Sequence, residues 1–257
     1  MRALPPGSGS KGNCAYVDNG SGALLIDCGL SVREALARMQ AAGRDPALVR
    51  AILLTHEHTD HLLGAAAMAR KLGVPVYGSG GTLLSLSDAT GGRKPVHPVR
   101  LDPGSRCSVD GFSVEAFATS HDAREPCGFT IRGGDLRFTC CTDTGIIPVP
   151  VAERLRNSEA VLLESNHCPE MLRTGPYPES LKRRIRSRRG HLSNTAAAAC
   201  LRGIAPDLGA VILAHLSEIN NTPGKALAAA REAFGFYLDG VEILVARQHG
   251  ATPTLEL

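Results

Sequence analysis

The 257-residue chain has no tryptophan, and six phenylalanines with four tyrosines make up its 4% of aromatic residues. Platforms for stacking nucleobases are therefore scarce, so a polyanion bound here would be read through its backbone. No apolar run approaches the roughly 18 residues that cross a bilayer, and no membrane partner is expected. The opening stretch MRALPPGSGSKGN has two prolines and no apolar core, unlike a secretory signal. The eight cysteines, Cys14, Cys28, Cys107, Cys127, Cys140, Cys141, Cys168 and Cys200, include no CxxC pair and do not pattern as a small disulfide framework. They read as reduced, small core residues. Lysine is scarce, at five against 23 arginines. That bias is either compositional or a sign of phosphate contact, where the planar guanidinium is favoured. At 43% hydrophobic, 21% charged and a formal net charge of +3, the chain is not disordered. A soluble, cytoplasmic globular protein is expected.

What is present is an alternation of short β-rich runs with helical patterns. CAYVD and ALLIDCG predict a hairpin across Asn19-Gly20. Ser31 looks like the N-cap of a helix over 32–42 that ends at Gly43. The continuous apolar run AILLT (51–55) suits a buried strand, and a helix over 62–72 closed by Gly73 should follow. The stretch 85–111, with Gly91-Gly92 and prolines, reads as turn-rich. FSVEAFAT, GFTIR and DLRFTCCT look like consecutive antiparallel strands, and 160–165 and 210–217 like buried ones. Helices are expected over 179–187, 194–202 and 224–234, and VEILVA as a late strand. Strands in both halves with helices between them fit an α/β fold of two sheets packed face to face, helices outside. No linker interrupts the pattern, so a single domain over 1–257 is expected.

The strongest chemical signal follows the strand AILLT: His56-Glu57-His58-Thr59-Asp60-His61. Three imidazoles and the Asp60 carboxylate within six residues would be costly in a core without partners. Together they suit Zn, Mn or Fe as divalent ions. This spacing cannot bring all four side chains onto one ion without strain, so a split over two ions is easier. Further ligands stand at strand ends: His121, Asp143 and His215. A dinuclear arrangement would set His56, His58 and His121 on one ion and Asp60, His61 and His215 on the other. Asp143 would bridge them, its anionic charge lowering their repulsion.

HEHTDH after a hydrophobic strand, with SHD, TDTG and AHLS later, resembles the metallo-β-lactamase superfamily. GSGSKGNCAYV, SHDAREPCGFTI, ESNHCPEMLRTGPYPESLKRRI, GHLSN and HLSEINNTP are closest to its YycJ-like (WalJ) branch, and the resemblance covers nearly the whole chain. It implies an αββα sandwich of two mixed sheets with metals at one edge, and the ligand set above. Cys168 and Ile219 depart from that branch, where Asp and Glu are usual. The resemblance suggests exonuclease activity on DNA, a metal-bound hydroxide attacking the phosphodiester with Asp60 among the catalytic residues. A thioester or lactone hydrolase uses the same ligands, and a non-catalytic binding or regulatory protein on this fold is a third reading. A complete ligand set argues against the last.

His167 and His191 either protonate the leaving oxygen or orient a ligand. Ser193 and Asn194 open a helix whose free N–H groups could also hold a phosphate. Glu164 reads as an orienting group or an arginine partner, and Glu57 as pointing to solvent. In Lys182-Arg183-Arg184-Ile185-Arg186-Ser187-Arg188-Arg189, six of eight residues are basic. The segment is either a solvated face or a surface that steers nucleic acid or another phosphodiester, through Arg183, Arg184 and Arg186 in particular. Tyr177, in GPYP, is the aromatic best placed to stack on a base.

Overall fold

The computed structural model describes residues 1–89 and 97–257, so Gly91-Gly92 lies outside the described residues. The strands form mixed sheets with helices flanking them, the α/β class expected. The chain divides into two compact units. One comprises Met1–Ala118, Ala123–Leu136 and Arg247–Leu257, the other Thr119–Asp122 and Arg137–Ala246.

In the first unit, β1 (Arg2–Gly7), β2 (Cys14–Asp18) and β3 (Ala23–Ile26) pair antiparallel. Pairing then turns parallel through β4 (Val49–Leu53), β5 (Val76–Gly78) and β6 (Pro98–Arg100). The strand Leu255–Glu256 closes the other edge against β1. Pro5 and Pro6 fall where the β1–β2 register shifts, the kind of irregularity that tolerates a residue without an N–H. A three-stranded antiparallel meander follows: β7 (Arg106–Val109), β8 (Phe112–Ala118) and β9 (Cys127–Gly133). Its first turn is Asp110-Gly111, both at positive φ (44° and 84°), the conformation a two-residue hairpin needs.

The helices here are α1 (Val32–Ala41), α2 (Thr59–Leu62), α3 (Ala65–Leu72) and α4 (Gly80–Ala89). Ser31 caps α1 through its hydroxyl, as expected. The single helix expected over 62–72 is instead α2 and α3, broken at Leu63-Gly64. Gly64 donates its N–H to the Cys28 carbonyl at 2.7 Å, and a Cβ there would lie 2.2 Å from the Leu30 carbonyl oxygen. The break lets the chain pass that close. Residues 85–89, expected as turn, complete α4. The core is apolar and continuous, from Tyr16 and Leu25 through Met39, Ile52 and Leu54 to Met68 and Val76.

The second unit is built on parallel strands β10 (Leu136–Cys141), β11 (Ala160–Glu164), β12 (Ala210–Ala214) and β13 (Glu242–Val245), adjacent in that order. AVLLE and AVILA are buried at every position, as strands covered on both faces must be. Around them lie α5 (Val149–Arg156), α6 (Pro169–Thr174), α7 (Glu179–Ile185), α8 (Asn194–Ile204) and α9 (Pro223–Phe234). Because β10, β11 and β12 are parallel, their C-terminal ends share one edge. Asp143, Glu164 and His215 sit there, the place where open α/β sheets bind ligands.

Candidate metal centre

In the first unit the histidine motif follows β4, with His58 just before α2 and Asp60 and His61 within it. The rings of His56 and His58 lie 4.6 Å apart, and those of His56 and His61 4.1 Å apart. His56 and His61 are buried. Packing imidazoles this closely requires that each ring be fixed. Asp27, just past β3 and also buried, performs that role for His61. Its carboxylate accepts from His61 Nδ1 at 2.8 Å, from the Thr55 N–H at 2.8 Å and from the Thr55 hydroxyl. With the proton on Nδ1, Nε2 of His61 carries the lone pair a metal needs. Asn13 holds the other flank: its amide N–H reaches Asp60 Oδ2 at 3.2 Å and His61 Nε2 at 3.0 Å, and its backbone N–H donates to the Asp60 carbonyl at 2.7 Å. That gives the GSGSKGN segment a physical task. Gly29 is demanded by the same contact, since a Cβ there would fall 1.7 Å from the Asp60 carbonyl oxygen.

In the second unit Asp143, Glu164, His191 and His215 bring one donor atom each to within 4.8 Å of one another. Glu164 is fully buried. It accepts from His191 Nδ1 at 2.7 Å and from the Thr144 N–H at 2.8 Å, and lies 3.6 Å from His215 Nδ1. Asp143 Oδ1 is 3.4 Å from His215 Nε2 and 3.8 Å from His121 Nε2. The His191 ring stacks on His215 at 5.2 Å, and Asn166 donates to the His215 carbonyl at 2.9 Å. Burial disfavours the charged form of His191, but Glu164 and Asp143 outweigh it and raise its pKa above the ordinary value. Burial lowers the pKa of His121. Mixed imidazole and carboxylate donors of this kind fit a divalent transition metal.

Asp27, Asp143 and His215 adopt left-handed backbone, with φ of 59°, 53° and 56°. For residues with a Cβ this conformation is strained, and strain of this sort gathers at functional sites.

The remaining candidates are distributed as follows. Ser193 caps α8 by accepting from the Ala196 N–H at 3.1 Å. The Asn194 amide is engaged by the Ser165 hydroxyl at 2.8 Å and by Asn221. Tyr177 is half-buried in the loop between α6 and α7. In the basic segment, Lys182 Nζ donates to the Arg173 carbonyl, Arg184 pairs with Asp122, and Arg186 with Glu179. Arg183 and Arg188 are exposed, with no side-chain hydrogen bond or ion pair to a described residue. Glu164 partners a histidine and a backbone N–H rather than an arginine. Glu57, expected to face solvent, accepts from the Arg124 N–H at 2.8 Å. Sequence reasoning missed Asp27, Asn13 and Asn166; for Asn13 the signal was its place in a motif already noted.

His167 is bridged to Ser193 in parallel register. Burial, against a weaker pull from Glu164, lowers its pKa to about 4. In the unfolded chain a histidine titrates near 6.5, so between about pH 6.5 and 4 the unfolded state binds the extra proton. His167 therefore withdraws stability as pH falls through that window, by up to about 3 kcal/mol. Urea unfolding at pH 7 and pH 4.5 should show a smaller loss for His167→Gln than for wild type. Equal losses would mean His167 titrates normally.

Residues 23–216 match the family model for the beta-lactamase superfamily domain. The chain belongs to that superfamily and is a hydrolase of the metallo-β-lactamase fold. Among its relatives, the exodeoxyribonuclease YycJ of Bacillus anthracis is 36% identical over 215 residues, which is 83% of this chain and 81% of that protein. The exodeoxyribonuclease WalJ of Streptococcus pneumoniae is 35% identical over 217 residues, with the same coverage. Among solved structures, the metallo-β-lactamase fold protein YhfI of Bacillus subtilis has a TM-score of 0.74 at 16% identity, covering 97% of this chain and 98% of that one. No helix among the described residues is long and apolar enough to cross a membrane.

Proposed function

We propose that the protein is a metal-dependent phosphodiesterase acting on nucleic acid, as an exonuclease on DNA. The observation that carries this is the pair His191–Glu164 beside Asp143 and His215. An imidazole with one nitrogen held by a buried carboxylate is built to give a proton to a departing oxygen. The two curated relatives named exodeoxyribonucleases support the substrate class. Two divalent ions, Zn, Mn or Fe, are proposed on His56, His58, Asp60, His61, His121, Asp143 and His215. Bound there, they would supply Lewis acidity and an activated water. The chain's own residues do the rest: Asp27 and Asn13 hold His61 and Asp60, Asn166 holds His215, and His191 protonates the leaving group. Exposed Arg183 and Arg188 attract the backbone phosphates. Eight thiols without a disulfide are in keeping with a reducing cytoplasm.

The test is a substrate panel, run with each metal in turn: single- and double-stranded DNA, RNA, bis-p-nitrophenyl phosphate, a thioester and a lactone. Turnover of DNA from its ends is expected, and preference for the thioester or lactone would overturn the reading. In the same series, Arg183→Ser with Arg188→Ser should flatten the log–log salt dependence of single-stranded DNA binding by about 0.7 per lost phosphate contact. An unaltered slope would remove both arginines from substrate binding.

A further inference from the structure

The basic segment, which runs from the last turn of α7 into the loop that follows, does not lie free on the surface. Its end wraps the loop that carries His121, and every contact in the wrap lies within the second unit. The Arg189 guanidinium Nε donates to the His121 carbonyl at 3.0 Å. His121 Nδ1 lies 3.0 Å from the Gly190 carbonyl, which can only accept, so Nδ1 carries the proton and Nε2 the lone pair. One residue before, the Ser120 hydroxyl donates to the Arg188 carbonyl at 2.8 Å. One residue after, Asp122 takes the Arg184 guanidinium, and its other oxygen lies 3.4 Å from His121 Nε2. Two glycines make room for the turn of the basic segment, Gly190 within the segment itself and Gly145 in the loop after β10 that packs on it. A Cβ on Gly190 would stand 2.2 Å from the Ile185 carbonyl oxygen, and one on Gly145 would stand 2.3 Å from that of Ser187.

We infer that Arg184 and Arg189 are positioning residues for His121, clamping its loop so that the Nε2 lone pair keeps one tautomer and one direction. The basic segment thus has a division of labour: Arg184 and Arg189 act inward on a metal ligand, while Arg183 and Arg188 face solvent. Arg189 fixes the backbone of His121. Arg184 holds one oxygen of Asp122 and so keeps the other, 3.4 Å from His121 Nε2, from closing further on the ring nitrogen. Neither arginine touches a reacting atom. This inference rests on the reading of His121 as a ligand.

The experiment is calorimetric titration of the metal-free protein with Zn²⁺ alone, alongside side-chain ¹⁵N spectra of His121. Arg184→Gln and Arg189→Ala should each weaken zinc binding by about tenfold, the lower end for groups that orient a metal ligand. The spectra should change from a single Nδ1-protonated tautomer to a mixture. Arg189→Lys should recover part of the affinity, since an ammonium can still donate to the His121 carbonyl. Arg202→Ala removes an exposed arginine on α8, matched in charge but remote from the loop in sequence, and should leave the affinity unchanged. The Arg184 side chain is about half exposed (53%), so Arg184→Gln keeps the test valid should Arg189→Ala fail to fold. Wild-type zinc affinity and an unmixed tautomer in Arg184→Gln and Arg189→Ala would overturn the clamp. His121→Ala separates the two readings: if it too binds zinc normally, it is the assignment of His121 as a ligand that fails.

Discussion

His191→Ala is expected to slow DNA hydrolysis by about 10²–10⁴-fold, the usual worth of a positioned general acid, while bis-p-nitrophenyl phosphate is hydrolysed within about tenfold of the wild-type rate. The difference lies in the leaving group. A sugar alkoxide departs only if it is protonated, whereas p-nitrophenolate leaves unaided. The structure holds the His191 ring in a fixed seat: Nδ1 on the buried Glu164 carboxylate at 2.7 Å, the ring stacked on His215. Glu164→Gln should reproduce the leaving-group dependence in weaker form, because the amide still reaches His191 but no longer favours its charged form. Equal loss on both substrates, with zinc stoichiometry reduced, would instead make His191 a metal ligand, for which its geometry with Asp143, Glu164 and His215 also qualifies.

The second large effect is expected at Asp27. Asparagine in its place is nearly isosteric, yet its Nδ2 can only donate. Facing His61 Nδ1, it would draw the lone pair to that nitrogen and push the proton to Nε2, the wrong tautomer for a ligand. Zinc affinity should fall by about 10–100-fold with the fold retained. Asp27→Ala adds a buried Thr55 N–H without an acceptor, at a cost of about 1–3 kcal/mol in chemical denaturation. Normal metal content and turnover in Asp27→Asn would show that His61 needs no such orientation.

Much of this was legible from residue order, for reasons that differ by element. The strand Ala210–Ala214 announces itself because burial on both faces leaves an unbroken apolar run, and Ala160–Glu164 interrupts that run only at its last residue. The helix at Ser31 carries its own cap. The histidine motif is legible because so many ligand-type side chains have few other reasons to crowd together. Harder to read were contacts that depend on long-range approach. The break at Gly64 exists because the chain must pass the Leu30 carbonyl, more than thirty residues earlier, and local periodicity holds no trace of it. Asp27 reads as an ordinary residue after a strand until Thr55 and His61 are brought to it. The helix Val149–Arg156 was missed because it begins among prolines and turns one wet face outward. The basic segment misleads in a different way: a count of charges does not say which ones already have partners.

The left-handed residues at the strand ends bear on how this enzyme would respond to selection. Asp27, Asp143 and His215 each hold a conformation that glycine adopts without penalty. Each pays on the order of 1–3 kcal/mol for it. A lineage or a laboratory library screened for heat resistance alone would drift toward glycine or asparagine at Asp143 and His215, gaining melting temperature at the expense of the proposed metal site, but not toward glycine at Asp27, whose carboxylate the buried Thr55 N–H needs. Screened for turnover, it would be held at the strained residues and would have to recover robustness elsewhere, in helix caps or surface charge. Inactive variants that melt higher than their parent are therefore a signature to look for, and Asp143→Gly and His215→Gly should melt above the corresponding alanine variants.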